Sequence, residues 1–457
     1  MTDADTALAL RDALRRGEVS AAELTLDALH RIEAHRDLGA FVRVNPDLAL
    51  AEAREADARR RDTRDPRDLP PLLGLPTAHK DLVDVRGHVT THGTRSVPHL
   101  TAAHDEPIAA DVRRAGAITL GKTQVPEFGI AAYSENLVAP PARHPLDATL
   151  TAGGSSGGTA AAIAAGLIPA AIGSDAGGSI RIPAAACGLI GLKPGRGVLP
   201  ADRERGLTDP AGAPTLAVSG PIARTARDAA LLFDAVSGQR ESALDTVVRA
   251  ERLHGLRVGV SFDSPFATWI PIEYSPDARA AVEAAVARLH DVGHRVEPVT
   301  VDYGADYPDA FTTVWTAALA RIDFAPGADE LLGDLARWFL ERARDTAPDA
   351  LASAVARLAA FATRARAQWE AFDVVLTPAL AATPPAIGAF TERGPAGDYA
   401  LQCAWVPQTS MVNVVGVPAI TAPTHHTAAG LPMGVQLIGR TGSEAQLLQL
   451  AEQLTWS

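Results

Sequence analysis

Of the 457 residues, 47% are hydrophobic and 21% charged, an ordinary globular composition long enough to bury a sizeable core. The 42 Lys and Arg against 54 Asp and Glu leave a net charge of −12, which disfavours a nucleic-acid partner held by bulk electrostatics. Cys187 and Cys403, the only two cysteines, are too few for a disulfide framework and fit a reducing, cytoplasmic setting.

The first 18 residues lack a basic start followed by an apolar core, so no signal peptide is expected. "SAAELTLDALHRIEAH" (20–35) opens on Ser20 with Glu23 three residues later, a capping box. Two helices are expected before residue 60. The arginine-rich stretch 54–68 interleaves its bases with acids and reads as a solvated helix face and loop, and a Pro-rich break follows at 65–76. Short apolar strands then alternate with helical stretches: 117–122, 169–175, 256–262, 294–301 and 372–379. That alternation predicts an α/β architecture with a substantial parallel or mixed sheet. The longest apolar run, 160–173, is mostly alanine and is cut by Gly166 and Pro169, so no membrane span is expected. From about 265 to 370 the chain is helical and rich in Ala and Arg. It carries Phe266, Trp269, Tyr274, Phe311, Trp315, Phe324, Trp338 and Phe339, read as helical core with some rings walling a pocket.

The chemistry concentrates in two glycine-serine stretches. "TAGGSSGGTAAAIAAG" (151–166) lacks the lysine that a phosphate loop needs close by. Its "GGSSG" matches the G-x-S-x-G elbow of α/β-hydrolases, which leaves Ser155 open as the nucleophile of an esterase-like enzyme. That reading needs a downstream histidine; His254, His290, His294, His425 and His426 are available, though 425–426 reads as an exposed turn. The second stretch, "GSDAGGSIRIPAAACGLIGLKP" (173–194), places the N–H groups of Ala176, Gly177, Gly178 and Ser179 in consecutive order. Glycines let such a turn converge several donors on one point, as an oxyanion hole requires. Ser179 stands at its end, where a nucleophile belongs, and needs an activating base. Lys80, after a short Pro-bounded apolar segment, would lose solvation on a buried strand and so become a neutral amine. His88, His92 and His99 lack the H-E-x-x-H arrangement and read as turn residues; no metal and no cofactor is implied.

Taken together, Lys80, the Gly-Gly-Ser-Ser-Gly-Gly loop and the Gly-Gly-Ser-Ile-Arg segment, in this order and spacing, resemble the amidase signature enzymes. Two further stretches are similar: 218–238 looks like the helix after the signature region, and 411–423 with 430–440 like the C-terminal strands. The resemblance implies an amidase-signature fold, a large mixed central β-sheet covered by helices on both faces. It implies one domain over 1–457, with N-terminal helices to 65, a signature core at 70–240, a variable helical subregion at 241–370 and the rest of the core at 371–457. It also assigns roles: Ser179 the acylated nucleophile, Ser155 a bridging serine after a non-proline cis peptide, Lys80 the base. The helix after Ser155 would point its positive end at the site and help keep Lys80 unprotonated. Ser156 is expected to cap that helix or to hydrogen-bond within the site, with the structural role preferred, Asp175 and Arg181 to pin the nucleophile loop, and Tyr133 and Ser134 to line the substrate pocket. The expected activity is cleavage of a small, apolar or aryl amide by a cytoplasmic monomer or homodimer; the alternative is an acyl-transfer subunit of an amidotransferase-type complex. The Tyr-containing segment usual in the glutaminase subunits is not seen in 241–370. Pro140 stands where members commonly carry glycine, His144 where they carry asparagine and Ala176 where threonine is frequent.

Overall fold

The computed structural model describes residues 6–209 and 212–455; residues 1–5 of the N-terminal stretch lie outside the described residues. Three helices, not two, precede residue 63: Ala7–Arg16, Ala21–Ala34 and Pro46–Asp62. Ser20 and Glu23 close their capping box on the second. The third starts where the Asn45 side chain accepts from Leu48 N–H, with Pro46 in its first turn, and it buries only Ala49, Ala53 and Ala56. An alanine-only stripe gives little periodic contrast, so the cap and the proline mark this helix better than its pattern does.

All five runs expected as strands pair into sheets, as Ile118–Thr123, Ala170–Asp175, Arg257–Val260, Arg295–Pro298 and Val374–Pro378. The larger sheet has eight strands in the order Arg295–Pro298, Arg257–Val260, Val374–Pro378, Pro432–Gly439, Ala419–His426, Ile190–Lys193, Val218–Ala223, Ala170–Asp175. The first three run parallel and every later neighbour antiparallel, so the sheet is mixed. A three-stranded sheet of Phe41–Val44, Ile118–Thr123 and Pro76–Lys80 adjoins it. Thr77 Oγ1 donates to Ala170 O across the join at 3.0 Å.

Side-chain alternation sends neighbouring strand residues into different cores. Val374, Leu376, Ile420 and Leu437 pack with the helices Ala226–Ser237, Pro276–Asp291 and Glu444–Thr455. Val375, Ala419 and Ile438 pack instead with Tyr307–Ala317, Pro348–Trp369 and Ser410–Val415. Helices therefore cover both faces, as a sheet buried on two sides requires.

Three local expectations need correction. Residues 218–223 form a strand, and the helix begins only at Ala226, capped by Thr225; Gly220 and Pro221 are poor helix residues and break the pattern first. Within 411–423, residues up to Val415 are helical, ending at Gly416 with φ +83°, and the strand starts at Ala419. His425 and His426 end that strand rather than sit in a turn, and His425 Nε2 lies 3.2 Å from Asp277 Oδ1.

Candidate active site

Lys80 is the last residue of the Pro76–Lys80 strand, which is buried throughout. The side chain is 1% exposed, and its Nζ reaches Ser155 Oγ at 2.6 Å, Ser174 Oγ at 3.1 Å and Ser174 O at 3.2 Å. Burial pulls its pKa down to about 7 against the opposing pull of the Asp175 carboxylate. These three partners suit a neutral amine. Two N–H groups can go to the Ser174 carbonyl and hydroxyl, leaving the lone pair for the Ser155 O–H. Ser174 was not expected here. Strand alternation places it on the opposite face from Asp175, a signal present once 169–175 is read as a strand.

The Gly154–Ser155 peptide is cis, as the resemblance implied. Glycine at 154 serves close approach: an added Cβ would come within 2.7 Å of the Tyr133 main chain. The helix Gly157–Ala164 follows. Ser156 stands at its N-cap, yet its hydroxyl caps nothing and is buried without a partner. Ser134 takes over instead, its Oγ accepting from Gly157 N–H at 3.1 Å. The Gly158 N–H goes to Gln124 O at 3.1 Å. Two of the first N–H groups of this helix are thus satisfied from outside the loop.

The second glycine-serine turn is held as a unit by Asp175. Its Oδ1 accepts from Gly178 N–H at 2.8 Å and from Arg181 Nη2 at 2.9 Å, and its Oδ2 accepts from Ile180 N–H and Arg181 Nε. Burial alone would raise this carboxylate, but the Arg181 charge and hydrogen bonds hold it well below the usual range. Asp175 and Arg181 therefore stand where expected. One expected oxyanion donor does not: Gly178 N–H is taken by Asp175. Among the described residues the N–H groups of Ala176, Gly177 and Ser179 donate to no protein acceptor, which leaves three candidates. Gly178 has φ +130°, and an added Cβ would lie 2.6 Å from Thr409 Oγ1, so this position needs glycine twice over.

Residues far along the chain complete the frame. Thr409 Oγ1 donates to Gly177 O at 2.7 Å. Asn413 Nδ2 donates to Asp175 O and Oδ1, and its Oδ1 accepts from Arg181 Nη2 at 2.6 Å. Gln436 Oε1 accepts from Arg181 Nη1, as does Thr409 O. The similar stretches 411–423 and 430–440 contain Asn413 and Gln436 but give them no role, and Thr409 lies just outside, because the Asp175, Gly177 and Arg181 partners that define their role are more than two hundred residues away.

Ser179 borders an open-mouthed cavity of about 450 Å³ walled by Ile130, Phe266, Phe311, Trp315, Tyr399 and Val406. Three of the aromatics singled out in the sequence are here, and an added Cβ at Gly177 would sit 3.5 Å from Trp315 Cη2. Tyr133 and Ser134 do not line it. Tyr133 stacks on Phe390 with ring centroids 4.5 Å apart and donates from its hydroxyl to Asp398 at 2.5 Å. It borders a neighbouring cavity, with Asp398 and Glu135. Both residues serve the scaffold of the Ser155 loop, an outcome set by contacts across the chain. His144, one of the departures from the family pattern, is buried against the end of the Arg181–Ala186 helix: Nε2 donates to Ala186 O at 2.8 Å and Nδ1 accepts from Leu146 N–H. Burial lowers its pKa, so it stays neutral and structural. The Ser156 N–H donates to Ser179 O at 3.2 Å, tying the two serine loops together, while no hydrogen bond joins the hydroxyls of Ser155 and Ser179.

The amidase family pattern matches residues 23–448 of this chain. The chain belongs to the amidase signature family. A Mycobacterium tuberculosis protein described as "Putative amidase AmiB2" is 38% identical over 441 residues, covering 94% of this chain and 91% of that protein. Among solved structures, 6-aminohexanoate cyclic dimer hydrolase in complex with its substrate superposes with a TM-score of 0.86 at 29% identity, over 100% of this chain and 98% of that one. A further amidase crystal structure gives 0.82 at 26% identity, covering 98% and 99%. The protein is accordingly an amidase, a hydrolase acting on amides. No helix among the described residues of this amidase is long and apolar enough to cross a membrane.

Proposed function

We propose that this amidase cleaves its substrate through an acyl-enzyme on Ser179, with Ser155 and Lys80 relaying the proton. The observation that carries the reading is the 2.6 Å contact between a buried, readily neutral Lys80 amine and the Ser155 hydroxyl. Ser155 passes its proton to Lys80 as it takes the proton of Ser179, whose Oγ adds to the amide carbonyl carbon. The developing oxyanion is held by N–H donors of residues 176, 177 and 179, with Gly178 excluded. The tetrahedral intermediate then collapses: the C–N bond breaks, and the leaving nitrogen receives the proton back along the same route. Water adds to the acyl-enzyme and releases the acid. The hydroxyls of Ser155 and Ser179 close their hydrogen bond when substrate is bound, since apo catalytic contacts are often long.

The aromatic cavity beside Ser179 supports a substrate with an apolar or aryl acyl group. The likeness to 6-aminohexanoate cyclic dimer hydrolase adds that dimer to the compounds worth assaying. A screen of primary, aryl and N-alkyl amides, with fluorophosphonate labelling read by mass spectrometry, tests the proposal. Labelling at Ser179 is expected. Full activity in Ser179→Ala together with none in Ser155→Ala would instead make Ser155 the nucleophile.

A further inference from the structure

A second hollow, of about 1070 Å³ with its mouth, shares no lining residue with the cavity at Ser179. Its walls are aliphatic: Leu216, Val314, Val355, Leu358, Val414 and Val415. Two guanidinium groups, Arg196 and Arg366, line the same space. Arg196 donates only to main-chain carbonyls, from Nε to Thr215 O at 2.9 Å and from Nη2 to Asn413 O at 2.6 Å and Val414 O at 3.1 Å. Arg366 likewise donates from Nη2 to Val415 O at 2.7 Å. Among the described residues neither has a carboxylate partner, and Arg196 Nη1 with Arg366 Nε and Nη1 have no protein acceptor. Glu370 also borders the hollow, but it is exposed and forms no ion pair with either arginine.

Two cations that border one apolar space without a counter-ion repel each other, and burial together with Arg366 lowers the pKa of Arg196. Arg366 is exposed and Arg196 half-buried, so the two form a positive patch bordering an apolar hollow, a potential that favours an anion there. The free donors suit a flat, bidentate acceptor, and a carboxylate has that shape. The aliphatic walls suit a hydrocarbon body next to it.

We propose that this hollow binds an amphipathic monocarboxylate, its head on Arg196 and Arg366 and its hydrocarbon body along Val355, Leu358 and Val414. The proposal is independent of the chemistry at Ser179. Its test is calorimetric titration of the whole chain at low ionic strength with octanoate, 1-octanol and acetate. Octanoate should bind saturably at one site, with 1-octanol and acetate each at least tenfold weaker. Arg366→Gln, at an exposed position, should weaken octanoate at least tenfold, and Val355→Trp, which fills the apolar wall, should do the same. Arg366→Gln leaves the catalytic cavity intact, so octanoate that merely occupies the acyl site would bind this variant unchanged. That outcome, equal binding of 1-octanol, or no saturable octanoate binding would overturn the proposal.

Discussion

Around Asp175 almost every polar atom is engaged: Gly178, Ile180, Arg181 and Asn413 all donate to one carboxylate, and Arg181 passes the load on to Thr409 and Gln436. Along the wall from Phe266 to Tyr399 the contacts are of another kind, rings meeting edge-on or stacked, such as Phe266 with Tyr307 and Phe311 with Trp315. A directional network admits one geometry and fails when any member is removed. Aromatic packing tolerates repacking at similar volume. The comparison teaches that the Ser179 turn is rigidly specified, whereas the shape of the cavity beside it is open to change by substitution.

The sharpest test removes the chemistry and leaves the frame. Ser179→Ala and Lys80→Ala should each lower kcat by at least about 10³-fold with unchanged circular dichroism, given how strongly relay residues act as a unit. Next is the frame itself. Asp175→Ala strands the Arg181 guanidinium in a site with no exposure, which should cost about 3–5 kcal/mol in denaturant unfolding; a loss below about 1 kcal/mol would show that the network is not what holds the turn. Third, activity should follow the charge on Lys80. Its amine is neutral above about 7, and protonation removes the base, so kcat/KM should fall about tenfold for each pH unit below that value and level off above it. A flat profile down to pH 5 would point to a different base.

The smaller effects probe the border between the two regions. Thr409 Oγ1 fixes the Gly177 carbonyl, and that peptide's orientation sends Gly178 N–H to Asp175. Thr409→Val should lower kcat by about tenfold, the worth of one hydrogen bond, with little change in KM. Thr409→Ser should restore it. On the other side, Trp315→Ala should raise KM for aryl amides by several-fold while leaving kcat for acetamide nearly intact. A large loss of kcat on every amide would mean that Trp315 belongs to the rigid frame.

Much of this was legible in one dimension. The five apolar strands and the Ser20 cap each rest on a short run of residue types with a local physical meaning, whereas Lys80, Ser155 and Ser179 are grouped by the family resemblance of the stretches that carry them. Other features were not legible, for reasons that can be named. The helix at Pro46–Asp62 buries alanines alone, and Ser134 caps a helix that begins more than twenty residues later. Tyr133 turned from the pocket to Asp398, a partner 265 positions away.

The order of residues along the chain placed the strands, because periodicity is a property of short segments, and it nominated a lysine, two serines and a string of backbone donors as one candidate site through the resemblance that their types and spacing carry. Only the folded chain decided which donors remain free, since Gly178 is claimed by Asp175 and the others are not. It also decided which rings face Ser179 and which polar groups brace the turn from strands and helices far away. Those choices depend on contacts between distant segments, and no local pattern encodes a contact whose two halves lie hundreds of residues apart.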